Sequence, residues 1–217
     1  MNKAVLISIR PEWCDLIVRG KKTIEVRKTR PKLETPFKAY IYCTKAPQQL
    51  ITIFKDGEET MDGEIHHGKP VFVKFNKLLP DSVRGKTQVV IGEFICDKID
   101  KLVHVGTMMD INILTLDGWY KPADALLQAA CLTEETAKKY LQGHNGYGWH
   151  ISDLKIYNQP KDIMCFHRAV EENELWCKKC AIGKKKDVHC AFCYGLDGLV
   201  LRRPPQSWCY VEELSNE

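Results

Sequence analysis

The stretch "RGKKTIEVRKTRPK", residues 19–32, carries seven basic side chains and one carboxylate, Glu25, yet its centre has the period of a β-strand. Ile24 and Val26 fall on one face, while Thr23, Glu25 and Arg27 fall on the other. One face is therefore available to a hydrophobic core. The other is free for polar work, as a solvated, charge-decorated edge strand or as a surface that holds a ligand. Exposed ion pairs contribute only about 0 to 1 kcal/mol. Lys22→Ala and Glu25→Gln are accordingly expected to fold with little loss of stability, and Arg27, which can pair with Glu25, is the riskier position.

Around this strand the chain alternates short strands with short helices. "KAVLISI" is a first strand, and "RPEWCDLIVRG" a helix opened by Pro11 and closed by Gly20. "FKAYIYCT", "TQVVIGEFICDKI", "KLVHVG" and "YGWHISDLKIY" have strand composition, and "LVLRRPPQSWCYVEEL" ends in a last one. "TEETAKKYL" is a helix, with Thr133 at its cap, Glu134 and Glu135 in the first turn, Lys138 and Lys139 near the end, and Gly143 beyond it. Residues 56–70, rich in glycine and acids, form a long turn or loop. Without regular βα repetition, the pattern predicts a mixed α+β domain on a small β-barrel or curled sheet, with short flanking helices.

The 217 residues, 44% hydrophobic, suffice for a sizeable core, and a net charge of +4 does not by itself mark a nucleic-acid binder. Position matters more, and basic groups concentrate at 19–32 and 178–186. The apolar run at residues 4–9 is too short for a signal peptide, and no run reaches membrane-spanning length. A cytoplasmic protein with ten reduced cysteines is expected.

Cys177, Cys180, Cys190 and Cys193 form two Cys-x-x-Cys pairs nine residues apart. Two such turns can close a four-thiolate tetrahedral zinc site with no open position, and fortuitous or redox-active thiol pairs are the alternative. The stretch is too short for a core of its own, so the zinc would be structural and would supply folding energy. The remaining six cysteines lack paired spacing and default to small buried hydrophobes. The expected layout is a barrel over 1–168, a zinc-ribbon-like insertion over 169–198, and a final barrel strand over 199–217.

The fragment "GKKTIEVR" fits Gly-x-Lys-x-x-Glu-x-Arg through Gly20, Lys22, Glu25 and Arg27. Together with "LISIRPEWCDLIVRGKKTIEVRK", "VVIGEFICDKI" and "YGWHISDLKIY", it makes the chain resemble the ASCH family of PUA-like domains. The likeness is nearest to a bacterial and phage branch, including prophage genes, whose last strand carries "PPQSWCYVEE". The resemblance implies a small β-barrel whose motif strand lines a polar cleft suited to RNA, a nucleotide or a modified nucleoside. Some members of the fold are amidohydrolases of an acetylated cytidine nucleoside that use the motif Lys with a Thr and a Glu. Here Glu25 stands where that Thr would be, which departs from their pattern.

Candidate ligand contacts are Gly20, Lys22, Glu25 and Arg27, with Trp13, Tyr147, Trp149 and Trp208 as stacking platforms that compete with core packing for each ring. If the chain is an enzyme, Lys22 and Glu25 are the catalytic pair of a nucleoside amidohydrolase or ribonuclease. A third reading makes the zinc knuckle a docking site for a protein partner. His150 and Asp153, three apart in one strand, lie on opposite faces and do not form a dyad. Gly143, Gly146 and Gly148 precede no helix, so "GHNGYGW" is not a dinucleotide fingerprint.

Overall fold

The computed structural model describes residues 2–60, 62–105, 110–169 and 199–214. Strand β1 (Lys3–Ile9) leads through helix α1 (Pro11–Val18) and β2 (Ile24–Arg27) to β3 (Phe37–Cys43). A hairpin of β4 (Gln48–Phe54) and β5 (Val71–Asn76) follows, then β6 (Val89–Cys96), β7 (Ile99–Val105), β8 (Asp110–Leu114) and β9 (Tyr120–Pro122). Helices α2 (Asp124–Ala129) and α3 (Glu134–Leu141) precede β10 (Gly146–His150), β11 (Ser152–Lys161) and β12 (Trp208–Glu212). The sequence reading missed β4, β5, β8, β9 and α2.

The mixed α+β class is as expected, but the closed barrel is not. Among the described residues two five-stranded sheets form, ordered β11-β6-β3-β1-β12 and β2-β10-β7-β8-β9, with β4 and β5 paired only to each other. β1 and β3 run parallel and the other pairs antiparallel. The segment "YGWHISDLKIY", expected to be one strand, is two strands in different sheets. Between them the Ile151 amide donates to the Thr23 carbonyl at 2.9 Å, and just inside β11 Asp153 adopts φ 47° where the pairing with β6 shifts register. This break sends the chain from one open sheet to the other.

The first sheet is apolar on both faces, which explains the near-continuous hydrophobic run of β1. Val5, Ile7 and Ile9, opposite Ala39, Ile41 and Cys43, pack against Cys14 and Ile17 of α1 and Trp149 of β10. Ala4, Leu6, Tyr40 and Tyr42 pack against Ile163, Phe166, Leu201 and Val211. The second sheet places Ile24, Val26 and Leu102 against Leu126 and Leu127 of α2 and Ala137 and Leu141 of α3. Gly146 and Gly148 serve that packing. A Cβ on Gly146 would lie 2.8 Å from Leu141, and one on Gly148 3.0 Å from Leu126. The glycines of "GHNGYGW" thus admit helices to the sheet.

Helix α3 begins as its sequence predicts. Thr133 Oγ1 accepts from the Thr136 amide while Thr136 Oγ1 accepts from the Thr133 amide, a reciprocal cap. Cys14, Cys43 and Cys96 are buried, Cys131 and Cys209 are half-buried, and Cys165 is exposed. Cys177, Cys180, Cys190 and Cys193 and the basic run at 178–186 lie outside the described residues. Among the described residues no cluster of His, Cys, Asp or Glu is suited to a metal, and no helix is long and apolar enough to cross a membrane.

Candidate functional site

The register of β2 agrees with its alternation. Val26 faces Gly148 and packs under the helices, while Glu25 and Arg27 stand opposite Trp149 and Tyr147 of β10 on the other face. β2 is an edge strand, but its polar face is not solvated. Lys22, Glu25 and Arg27 are only 3%, 6% and 9% exposed. This corrects the expectation of exposed ion pairs, because α1, the end of β1 and the segment before β12 close over the strand.

Within this enclosure the charges satisfy one another. Glu25 Oε1 lies 3.0 Å from the Arg27 guanidinium and Oε2 3.3 Å from Lys22 Nζ. Lys22 also donates to the Ala130 carbonyl at 2.7 Å, and its ammonium sits 5.0 Å from the centre of the Trp13 ring. Arg27 donates to the Ser8 carbonyl at 2.6 Å and reaches Ser207 Oγ at 3.5 Å, while its buried Nε has no hydrogen-bond partner among the described residues. Among the described residues, two cations therefore face one carboxylate. Removing ions from water costs several kcal/mol each, and only the paired charge is compensated locally.

The triad forms the floor of a cleft of about 770 Å³. β1 contributes Ser8 and the residue just after it, Arg10, α1 contributes Trp13, and α3 contributes Thr136, Lys139 and Tyr140. Pro204, Pro205, Gln206 and Ser207 form a further wall, fastened to β1 where Ser8 Oγ donates to the Pro205 carbonyl at 2.7 Å and the Ser8 amide to the Ser207 carbonyl at 2.8 Å. Arg10, Lys139 and Tyr140 are exposed and mark the mouth. Among the described residues, four basic groups and one carboxylate line the cleft, beside apolar surface from Trp13, Val26, Leu132 and the two prolines.

Of the residues predicted from sequence, Trp13, Lys22, Glu25 and Arg27 meet in this cleft. Gly20 is outside its lining; it turns the chain after α1 with φ 67°, its amide donating to the Ile17 carbonyl. Trp149, read as a stacking platform, is wholly buried against Phe37 and Trp208, and this burial removes it from reach of a ligand. Tyr147 and Trp208 are half-buried and pack on the same core, with the Trp208 indole N–H donating to Thr29 Oγ1 at 3.0 Å. Sequence reasoning missed Arg10, Tyr140 and the site role of Lys139. Arg10 lies next to a recognised strand end, whereas the other two come from a helix more than a hundred residues away.

His150 and Asp153, expected on opposite faces of one strand, belong to β10 and β11 in different sheets, and His150 has a carboxylate partner in Asp100. Its Nε2 lies 2.8 Å from Asp100 Oδ2, and Lys98 Nζ lies 2.9 Å from Asp100 Oδ1. Burial pushes the Asp100 carboxyl upward, but the hydrogen bonds from Lys98 and His150 outweigh it and hold the group below the usual carboxylate range. This cluster is not part of the cleft lining.

A family model for the ASCH domain matches residues 7–62, a span that contains α1, β2 and all three triad residues. Among solved structures the chain is similar to an ASCH protein from Zymomonas mobilis, at 16% identity and a TM-score of 0.43, over 97% of this chain and 88% of that one. A single-residue variant of the same protein aligns at the same identity and score, over 98% and 92% of the two chains. No curated protein matches.

Proposed function

We propose that the chain binds RNA or a nucleotide, with phosphate and base edge held in the cleft over Lys22, Glu25 and Arg27. The observation that carries this reading is the buried triad with its surplus positive charge. A core is more cheaply built from apolar side chains, so three buried charges beside a cleft are better explained by recognition than by stability. An oxyanion would compensate the surplus. Arg10 and Lys139 at the mouth suit flanking phosphates, and Trp13 and Tyr140 offer ring surface for a base. The cleft volume suits one nucleotide rather than a duplex. The match to the ASCH model across the motif strand supports the same assignment, and "PPQSWCYVEE" supports the bacterial and phage branch.

A second reading rests on the 3.3 Å approach of Lys22 to Glu25, which a nucleoside amidohydrolase or ribonuclease could use for proton transfer. It ranks second because both oxygens of Glu25 are already ion-paired. A structural zinc on Cys177, Cys180, Cys190 and Cys193, with a protein partner docked on that stretch, is proposed on the Cys-x-x-Cys spacing, and a cytoplasmic location on the reduced cysteines that zinc requires. The binding proposal is tested by fluorescence anisotropy with short labelled single-stranded RNAs, and by calorimetry with nucleoside monophosphates. Binding that weakens as salt rises is expected, and absence of binding to any of them would refute it. Product analysis of the same RNAs and of acetylated cytidine, with wild type and Lys22→Ala, tests the second reading.

A further inference from the structure

The β4–β5 ribbon stands apart from the body. Among the described residues its strands pair only with each other, and none of its described side chains belongs to the three core clusters. The pairing aligns Gln49 with Phe75, Ile51 with Val73, and Phe54 with Val71, so one face carries Ile51, Phe54, Val71, Val73 and Phe75 beside the polar Gln49. On that face Phe75 is 50% exposed, Ile51 41% and Val71 38%. The opposite face exposes Leu50 and Phe72 as well. A two-stranded ribbon is at best marginally stable by itself, and apolar surface of this extent marks a docking face.

Charge identifies the occupant. Residues 45–78 hold five lysines and five carboxylates, so the ribbon has no net attraction for a polyanion, in contrast to the cleft. The two signs are also segregated along its length. Asp56, Glu58, Glu59, Asp62 and Glu64 all lie at the tip, while Lys45, Lys74 and Lys77 lie in the root half, with Lys55 and Lys69 at the neck between them. A second ribbon laid antiparallel on the first would place each acidic tip over the other's basic root, and a two-fold axis would form that contact twice. We infer that the chain self-associates through the β4–β5 ribbon as a two-fold dimer, with the faces bearing Ile51 and Phe75 in contact and tip paired with root.

Sedimentation velocity on the full chain over a range of concentrations tests this. The wild type is expected to shift toward twice the chain mass as concentration rises. Phe75→Asp should abolish the shift while leaving the thermal melt of the body and RNA affinity unchanged, since Phe75 is in neither core nor cleft. Reversing the tip with Glu59→Lys/Glu64→Lys, or the root with Lys45→Glu/Lys77→Glu, should each raise the dimer dissociation constant by roughly tenfold. Combining the two reversals should restore it. A wild type that remains monomeric overturns the inference. In that event, loss of RNA affinity in Phe75→Asp would assign the ribbon to nucleic acid, and retained affinity would assign it to a different protein. A dimer indifferent to Phe75→Asp overturns the surface, and failure of the combined reversal to restore association overturns the antiparallel register.

Discussion

Arg27 and Glu25 form an ion pair at 3.0 Å with their side chains only 10% and 8% exposed, and Lys22 completes a triad around the same carboxylate. This makes Glu25 the hinge of local stability. Glu25→Gln would leave two buried cations facing each other without a counter-charge, a loss of about 3 to 5 kcal/mol. Lys22→Ala leaves the Glu25–Arg27 pair intact and mainly deprives the Ala130 carbonyl of its donor, at about 1 to 3 kcal/mol. Urea unfolding of both variants checks the order. Equal and negligible effects would mean the triad is solvated after all.

Stability should also fall on the acid side for a defined reason. Burial raises the Asp15 carboxyl, but hydrogen bonds from Arg19 and from Ser82, the latter at 2.5 Å, hold it below its ordinary value, and Asp100 is depressed in the same manner by Lys98 and His150. A carboxyl depressed in the folded state contributes stability above its unfolded pKa, near 4, and loses it as pH falls through the lower folded value. Asp15→Asn and Asp100→Asn should therefore flatten the dependence of unfolding free energy on pH below about 4. An unchanged acid limb in both would contradict the assigned pairs.

Arg10 and Lys139 are exposed at the cleft mouth, so their removal should weaken binding without weakening the fold. If each contacts one phosphate of a single strand, Arg10→Ala and Lys139→Ala will each reduce the slope of log K against log salt by about 0.7. Lower affinity with an unaltered slope would indicate contacts to base or sugar instead.

Metal analysis of protein purified without added zinc should give one equivalent per chain, from Cys177, Cys180, Cys190 and Cys193. Cys180→Ser should lose it and loosen residues 177–193 while the two sheets stay folded. Wild type without metal would dismiss the site, and global unfolding of Cys180→Ser would show that the stretch is integral to the core.

How much of this was legible in the sequence follows from the range of each interaction. The α1 boundaries, the Thr133 cap and the strand character of β1, β3 and β6 are local properties of a few adjacent residues, and were readable. The faces of β2 were readable too, because alternation decides them. Burial of its polar face was not, since Ser8, Ala130 and Ser207 enclose it from 19 to 180 residues away in sequence. Asp100 as the partner of His150 was hidden for the same reason. β4 and β5 were missed because their flanking turn residues dominate the composition, and the division of "YGWHISDLKIY" between two sheets falls at Ile151, where no glycine or proline announces it.

A crystal structure of the protein soaked with nucleoside monophosphates tests most directly the claim that the buried triad is a ligand site. The predicted result is a nucleotide in the cleft, with an oxygen within hydrogen-bonding distance of Lys22 Nζ or the Arg27 guanidinium and its phosphate directed toward Arg10 or Lys139. A nucleotide bound elsewhere on the chain, with the cleft over Lys22, Glu25 and Arg27 left to solvent, would contradict it.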